Sequence, residues 1–319
     1  MLAAYASRFV PDAPLDGLEV AERPDPVARE NWSVVEVRAA TLNHHDLWSL
    51  KGVGLRADQL PMILGTDAAG IAPDGTEVVV HGVIGADGHG VGPREGRSLL
   101  SEKYDGTLAQ YVAVPTANLV PKPASLTFAE AACLPTAYLT AYRMLFSVAG
   151  LRPGQSVLVQ GAGGGLATAA IVLGAAAGLT VTATSRDGAK RARALRLGAR
   201  HAVEPGARLH ARVDAVIESV GQATWAHSMR SVKPGGTIAV CGATSGDAPA
   251  AELTRLFFQE ITVRGVTMGT RDELRDLLAF LDRTGVRPVI DSEHRLADVR
   301  GALARMEAGA QTGKIIVVP

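Results

Sequence analysis

Cysteine is nearly missing from this chain, with only Cys133 and Cys241 among 319 residues. Far apart in sequence, they support neither a disulfide framework nor a cysteine-based zinc module. Net charge is missing too: 32 Lys and Arg balance 32 Asp and Glu. No basic block breaks that balance, so nothing points to nucleic acid. The first residues, MLAAYASRFVPDAP, hold no apolar run of signal-peptide length, and the expected location is the cytoplasm. The nearest thing to a membrane span is the Ala/Gly-rich stretch 161–179. Its glycine density and its place directly after a strand mark it as a buried helix, so no membrane partner is expected. What is abundant is apolar mass. At 47% hydrophobic over 319 residues, the chain can bury a sizeable core, and its length suggests two domains.

The most informative stretch is 155–190, QSVLVQGAGGGLATAAIVLGAAAGLTVTATSRDGAK. It reads as an apolar strand from Ser156, a glycine turn, a proline-free helix over 164–178, and a second strand ending at Ser185-Arg186. The turn spells Gly161-x-x-Gly164-x-x-Ala167, with further glycines at 163 and 165. Without side chains there, a pyrophosphate can approach backbone N–H groups at the positive end of the helix. Gly161, Gly163, Gly164, Gly165 and Leu166 are therefore the candidate phosphate-binding residues, and Ala167 is small enough for close helix–sheet packing.

The end of the second strand discriminates between dinucleotides. An NAD site usually places an acidic residue there for the ribose 2′-hydroxyl. This chain has Ser185 and Arg186 instead, with Lys190 one helical turn on. A hydroxyl, a guanidinium and an ammonium suit a 2′-phosphate, so the expected cofactor is NADPH. The competing reading has Asp187 capping the next helix while Arg186 and Lys190 stay solvated.

Upstream, strand-like runs at 34–39 and 77–80 lie among frequent Gly and Pro. Gly82 to Gly96 carries six glycines and reads as a surface excursion. Thr127 and Glu130 form a capping-box pattern that opens a helix, Pro135 interrupts it, and a second helix is expected to about Ala149. Beyond 156, strands at 156–160, 180–185, 201–204, 213–218 and 236–241 alternate with helices at 164–177, 187–197 and 222–232. A further strand is expected at 261–266, an amphipathic helix at 271–284, a helix at 297–308 and a final strand at 315–318. Such alternation defines an α/β fold with a parallel sheet covered by helices on both faces.

Leu42-Asn43-His44-His45-Asp46-Leu47-Trp48, Ile63 to Gly70, Gly106-Thr107-Leu108-Ala109-Gln110-Tyr111, the turn at 161–167 and Thr312-Gly313-Lys314-Ile315 recur in order along the chain. With these markers the sequence resembles the medium-chain dehydrogenase/reductase superfamily nearly end to end. The most similar subgroup is the zinc-free quinone oxidoreductases and enone reductases. The resemblance implies a GroES-like β domain over 1–123 and 287–319 and a Rossmann doubly wound NADP-binding domain over 124–286. It implies a cofactor in the cleft and a homodimer formed through the last Rossmann strand near 261–268. It also implies cofactor contacts from Val220, Gly221 and Gly242 at strand ends, and from Thr136 and Thr140.

Zinc alcohol dehydrogenases of the superfamily hold their metal with Cys, His and a third ligand. Here Asn43 stands at the cysteine, Thr66 at the histidine, and no cysteine stands at Thr136, Cys133 being offset. The four-cysteine lobe is absent, and 82–96 occupies that region. His44, His45, His81 and His89 offer no ligand spacing, so no metal is expected.

The remaining chemistry is hydride transfer to an electron-poor acceptor. A quinone or α,β-unsaturated carbonyl spreads the arriving charge onto oxygen and needs less Lewis-acid help than a simple ketone. A quinone, enone or aldehyde is the expected substrate. Asn43, His44 and His45 are the candidate donors to the developing oxygen, and Asp46 reads as an anchor. Lys314 is placed either near the nicotinamide amide or substrate, or at the surface. A non-catalytic NADPH-binding protein, structural or regulatory, is the second reading; a zinc alcohol dehydrogenase and a methyltransferase stand behind it.

Overall fold

Short apolar strands separated by helices build a six-stranded sheet in the computed structural model, which describes residues 1–85 and 97–319. The spatial order is His201–Val203, Thr180–Thr184, Ser156–Val159, Val213–Glu218, Val232–Val240 and Thr262–Gly265. Every pairing is parallel. Val157, Leu158 and Val159 are completely buried, as a central strand covered on both faces requires. Chain order reverses beside this strand, and ligands bind such sheets at the carboxyl ends there. The sheet belongs to a compact unit formed by Thr140–Thr267.

The helix after the first strand is Gly165–Ala176, 12 residues long, with Ala167 through Gly174 buried. Among the described residues no helix is long and apolar enough to cross a membrane. Asp187 caps the helix Gly188–Arg196, accepting from the N–H groups of Ala189 and Lys190. The strand Val232–Val240 starts earlier than the expected 236. Pro234-Gly235-Gly236 reads as a turn in sequence, yet the strand runs through it with a register shift opposite Val213/Ala215. All four residues of the edge strand Thr262–Gly265 are exposed.

The second compact unit comprises Met1–Leu139 and Met268–Pro319. Residues 124–139 and 268–286, expected with the Rossmann part, group here instead. Its larger sheet runs Leu119–Pro121, Glu77–Val80, Asp67–Ile71, Trp32–Thr41, Lys314–Val318, Ile290–Arg295. The first half of Trp32–Thr41 also pairs with Tyr111–Pro115. A smaller sheet joins Leu18–Glu22, Leu2–Ala6 and Met62–Ile63. The core includes Leu18, Val35, Leu50, Leu64, Leu108, Leu303 and Ile315. Val83–Gly85 pairs with Arg97–Leu99. His89 and the rest of the expected excursion at 86–96 lie outside the described residues.

The capping box at Thr127 and Glu130 opens the helix Phe128–Ala132. Pro135 follows inside a wide π-type turn, Leu134–Tyr138, and helical structure continues to Val148 through Leu139–Tyr142 and a second wide turn. The missing proline N–H accounts for the change of winding.

Candidate functional site

Strand register assembles a buried polar cluster in the Met1–Leu139/Met268–Pro319 unit. Thr41 pairs with Asp67 on one side and with Ile316 on the other. Lys314, two residues before Ile316, therefore reaches the same end of the sheet. Lys314 is 2% and Asp67 0% exposed. The Lys314 ammonium donates to Leu42 O at 2.8 Å, Asn43 Oδ1 at 2.7 Å and Asp67 Oδ2 at 3.1 Å. Asp67 Oδ2 also accepts from Thr41 Oγ1 at 2.7 Å and Asn43 Nδ2 at 2.8 Å. Its Oδ1 has no partner among the described residues.

Asn43 Nδ2 donates further to Thr66 Oγ1 at 3.1 Å, and Thr66 Oγ1 lies 2.9 Å from Thr136 Oγ1. Both amide hydrogens and the amide oxygen of Asn43 are thus engaged inside the cluster. This differs from the expected donation to a substrate oxygen, which would need a free N–H. Lys314 differs as well. It is neither at the surface nor presenting a spare N–H, because a buried ammonium must use its donors on nearby oxygens.

The helix His44–Leu50 hangs on Asp46, which anchors the loop as expected. Its carboxylate accepts from Asn43 N at 2.8 Å and Gly65 N at 3.0 Å. Burial pushes the Asp46 carboxyl up, against the opposing pull of His45, the Asn43 N–H and Lys314. His45 turns aside to Glu102, 3.1 Å away, and Ser101. Burial pulls its imidazole down, but the Glu102 hydrogen bond and the charges of Asp46, Glu102 and Asp67 together raise it. His44 is exposed on the first turn. The two histidines do not converge.

In the Thr140–Thr267 unit, the glycine turn is tied to its neighbours by a second buried network. Gly161, at φ +92°, donates its N–H to Thr184 Oγ1, which donates to Gln160 Oε1. Gln160 Nε2 donates to Ser228 Oγ, and Ser228 donates to Glu218 Oε2 at 2.6 Å. Glu218 also accepts from Thr224 and from the N–H groups of Val220 and Gly221. Gln160 and Glu218 are wholly buried. The network locks the first strand end, the second strand end and the 220–221 loop into one rigid rim.

That rim fits a dinucleotide. Gly164 is the N-cap of Gly165–Ala176 and supplies no side-chain cap, leaving the first-turn N–H groups open to an anion. A Cβ on Gly164 would meet nothing within 4 Å, so the approach is clear. Lys190 reaches back over the turn, where a Cβ on Gly163 would lie 2.9 Å from its Nζ. Arg186 is exposed and Ser185 half-buried. Arg191 holds the carbonyls of both, at 2.7 Å and 3.1 Å. Ser185, Arg186, Lys190 and the Gly161–Leu166 turn thus surround one strand end, with Val220 and Gly221 on the adjoining one. Gly242 follows the strand Val232–Val240, close to Ser219. Thr140 is buried in the helix Leu139–Tyr142. Burial, then the charge of Glu218, pushes the Cys241 thiol up to about 12, which disqualifies it as a nucleophile.

Sequence reasoning missed Thr41, Asp67, Gln160 and Glu218 as organisers of these networks. A signal existed for each: a polar residue at or just beyond the end of a strand and next to apolar neighbours, which burial obliges to find partners.

A Rossmann sheet with a glycine turn, joined in one chain to a GroES-like β unit, is the two-part architecture of a class of dehydrogenases and reductases. The sequence matches the alcohol dehydrogenase GroES-like domain over residues 29–124 and the zinc-binding dehydrogenase family over residues 165–283. It is 33% identical to the 2-methylene-furan-3-one reductase of Solanum lycopersicum, covering 92% of this chain and 73% of that protein. It is 29% identical to a zinc-type alcohol dehydrogenase-like protein of Schizosaccharomyces pombe, covering 89% and 90%. A solved NAD-dependent alcohol dehydrogenase superposes with a TM-score of 0.90 at 30% identity, with both chains covered completely. The chain belongs to the medium-chain dehydrogenase/reductase superfamily and is an oxidoreductase.

The zinc in the family's name does not fit this donor set. Asn43, Thr66 and Thr136 supply an amide and two hydroxyls where zinc wants thiolate and imidazole. They are hydrogen-bonded to one another, with Asn43 presenting Nδ2, a donor and not a ligand, to Thr66. Among the described residues, no group of three or more His, Cys, Asp or Glu is arranged to hold a metal ion.

Proposed function

We propose that this protein is an NADPH-dependent reductase that delivers hydride to a quinone or α,β-unsaturated carbonyl without a metal. The observation that carries the reading is the mutual hydrogen bonding of Asn43, Thr66 and Thr136. This donor set calls for an acceptor that needs no Lewis acid. Conjugated carbonyls meet that condition because the arriving electron pair moves onto oxygen. The enone-type substrate in the name of the Solanum lycopersicum relative supports the same class.

The cofactor would be held by Gly161, Gly163, Gly164, Gly165 and Leu166 at its pyrophosphate, and by Ser185, Arg186 and Lys190 at a 2′-phosphate. Val220, Gly221, Gly242 and Thr140 complete the contacts. When bound, the reduced nicotinamide supplies the hydride. The acceptor carbon gains that hydride, the conjugated pair shifts to oxygen, and a proton from water completes a two-electron reduction. The chain's own part is to bind, orient and stabilise charge on the oxygen. A cytoplasmic homodimer, paired through the Thr262–Gly265 edge, is the expected working form.

The test is loss of reduced-nicotinamide absorbance with NADPH and with NADH against quinones, enones and aldehydes, each with and without chelator. Chelator-insensitive, NADPH-selective turnover of a quinone or enone is expected. Activity that disappears with chelator and returns with zinc overturns the metal-free reading. Tight NADPH binding with no turnover across the series moves the protein to the non-catalytic class.

A further inference from the structure

The hydrogen bonds around Lys314 have a direction. A lysine ammonium has donors and no acceptor, so the Asn43 atom 2.7 Å from it is Oδ1. That settles the amide, and Nδ2 donates to Asp67 Oδ2 and Thr66 Oγ1. Thr66 is therefore an acceptor on that side. Thr66 is 1% exposed, and its own hydrogen must find an acceptor inside the protein. Thr136 Oγ1, 2.9 Å away, provides it. Donation in the opposite sense would leave the Thr66 hydrogen buried and unpaired, with its full desolvation penalty. Thr136 thus accepts from Thr66, and its own hydrogen has no acceptor among the described residues. Thr136 is partly exposed, so that hydrogen is available to a ligand.

We infer that Thr136 donates the hydrogen bond that holds the acceptor's carbonyl oxygen, and that Lys314 sets the direction of that donation through Asn43 and Thr66. The inference rests on the carbonyl-reducing reading above. The partner is an oxygen that carries more charge after hydride arrival than before, so the bond strengthens as the reaction proceeds. A chain of donors beginning at a cation polarises each successive link in the same sense, which favours the outward hydroxyl as donor. Thr136 gives a hydrogen bond and keeps its proton; the transferred proton comes from water. Thr136 is the catalytic residue of this chain, while Asn43, Thr66 and Lys314 are positioning residues.

The experiment uses the intact protein and para-nitrophenolate, an oxyanion whose absorption band moves when it accepts a hydrogen bond. It is titrated with and without NADP⁺, beside enone and quinone kinetics. Thr136→Val keeps the shape and loses the hydroxyl. It is expected to bind phenolate about ten-fold more weakly and to lose about a hundredfold in kcat, with KM for NADPH unchanged. Thr136→Ser should recover most of both. Lys314→Met combined with Asp67→Asn, which removes both buried charges, should lower kcat and phenolate affinity while KM for NADPH holds. Wild-type behaviour of Thr136→Val in both assays overturns the inference, and so does a wild-type protein that does not bind phenolate. A wild-type protein that reduces no enone or quinone refutes the functional reading instead. The phenolate titration then decides the donor on its own.

Discussion

Lys314→Met removes one partner of a wholly buried ion pair while keeping most of the side-chain volume. The ammonium is 2% exposed and bonds to Leu42 O, Asn43 Oδ1 and Asp67 Oδ2. Its loss strands a carboxylate whose Oδ1 already has no partner among the described residues. It also orphans a backbone carbonyl and an amide oxygen. Removing one partner of such a pair costs about 3–5 kcal/mol, most of it the penalty of an uncompensated buried charge. For a unit of this size each kcal/mol lowers Tm by about 2–4 °C, so a fall of about 8–16 °C is expected for a cost of about 4 kcal/mol. Scanning calorimetry on the purified variant reads it. The double variant Lys314→Met/Asp67→Asn removes the stranded charge and should recover most of the loss. A single variant within about 2 °C of wild type, or a double variant no better than the single, would refute the assignment of Lys314 and Asp67 as a mutually dependent pair.

Three further outcomes are expected. Arg186→Ala should weaken NADPH binding about ten- to hundredfold while leaving NADH nearly unchanged, as befits one charge-assisted bond to a 2′-phosphate; equal losses in fluorescence titrations with the two cofactors would remove that role. Asp214 accepts from Ser156 N–H, Ser156 Oγ and Lys233 Nζ. Burial raises its carboxyl, but these bonds outweigh it and lower the group from 3.8 to about 2. A depressed folded value stabilises the fold above the unfolded value and ceases to as pH falls through the folded one. Wild type should therefore exceed Asp214→Asn by about 2 kcal/mol near neutrality, and urea midpoints should converge as pH drops toward that value. Finally, Leu253, Phe257, Phe258 and Val263 are 66%, 61%, 72% and 42% exposed beside the open strand edge. Phe258→Glu with Val263→Glu should turn the expected homodimer into a monomer by light scattering; an unchanged mass would place the interface elsewhere.

Local order was readable because local chemistry decides it. Asp187 caps its helix, Thr127 and Glu130 close their box, and the amphipathic helix Arg271–Thr284 has the bounds its leucine spacing sets. The glycine turn, the six parallel strands and the family followed from patterns contained within short stretches. Where local chemistry misled, a neighbouring strand was responsible. Pro234-Gly235-Gly236 has every mark of a turn, but pairing with Val213–Glu218 carries the strand through it.

The roles inside the polar cluster needed the tertiary structure. Asn43 and Lys314 were both conspicuous in sequence, but one was expected as a donor to substrate and the other near the cofactor or at the surface. Asp67 and Lys314 stand 247 residues apart, and only the paired registers of Thr41 with Asp67 and with Ile316 bring them together. Residue types announce which hydrogen bonds a side chain can make. Which of those bonds are already taken depends on burial and on strands from distant parts of the chain. Thr136 emerges as the outward donor for that reason, since every other donor in the cluster is already committed.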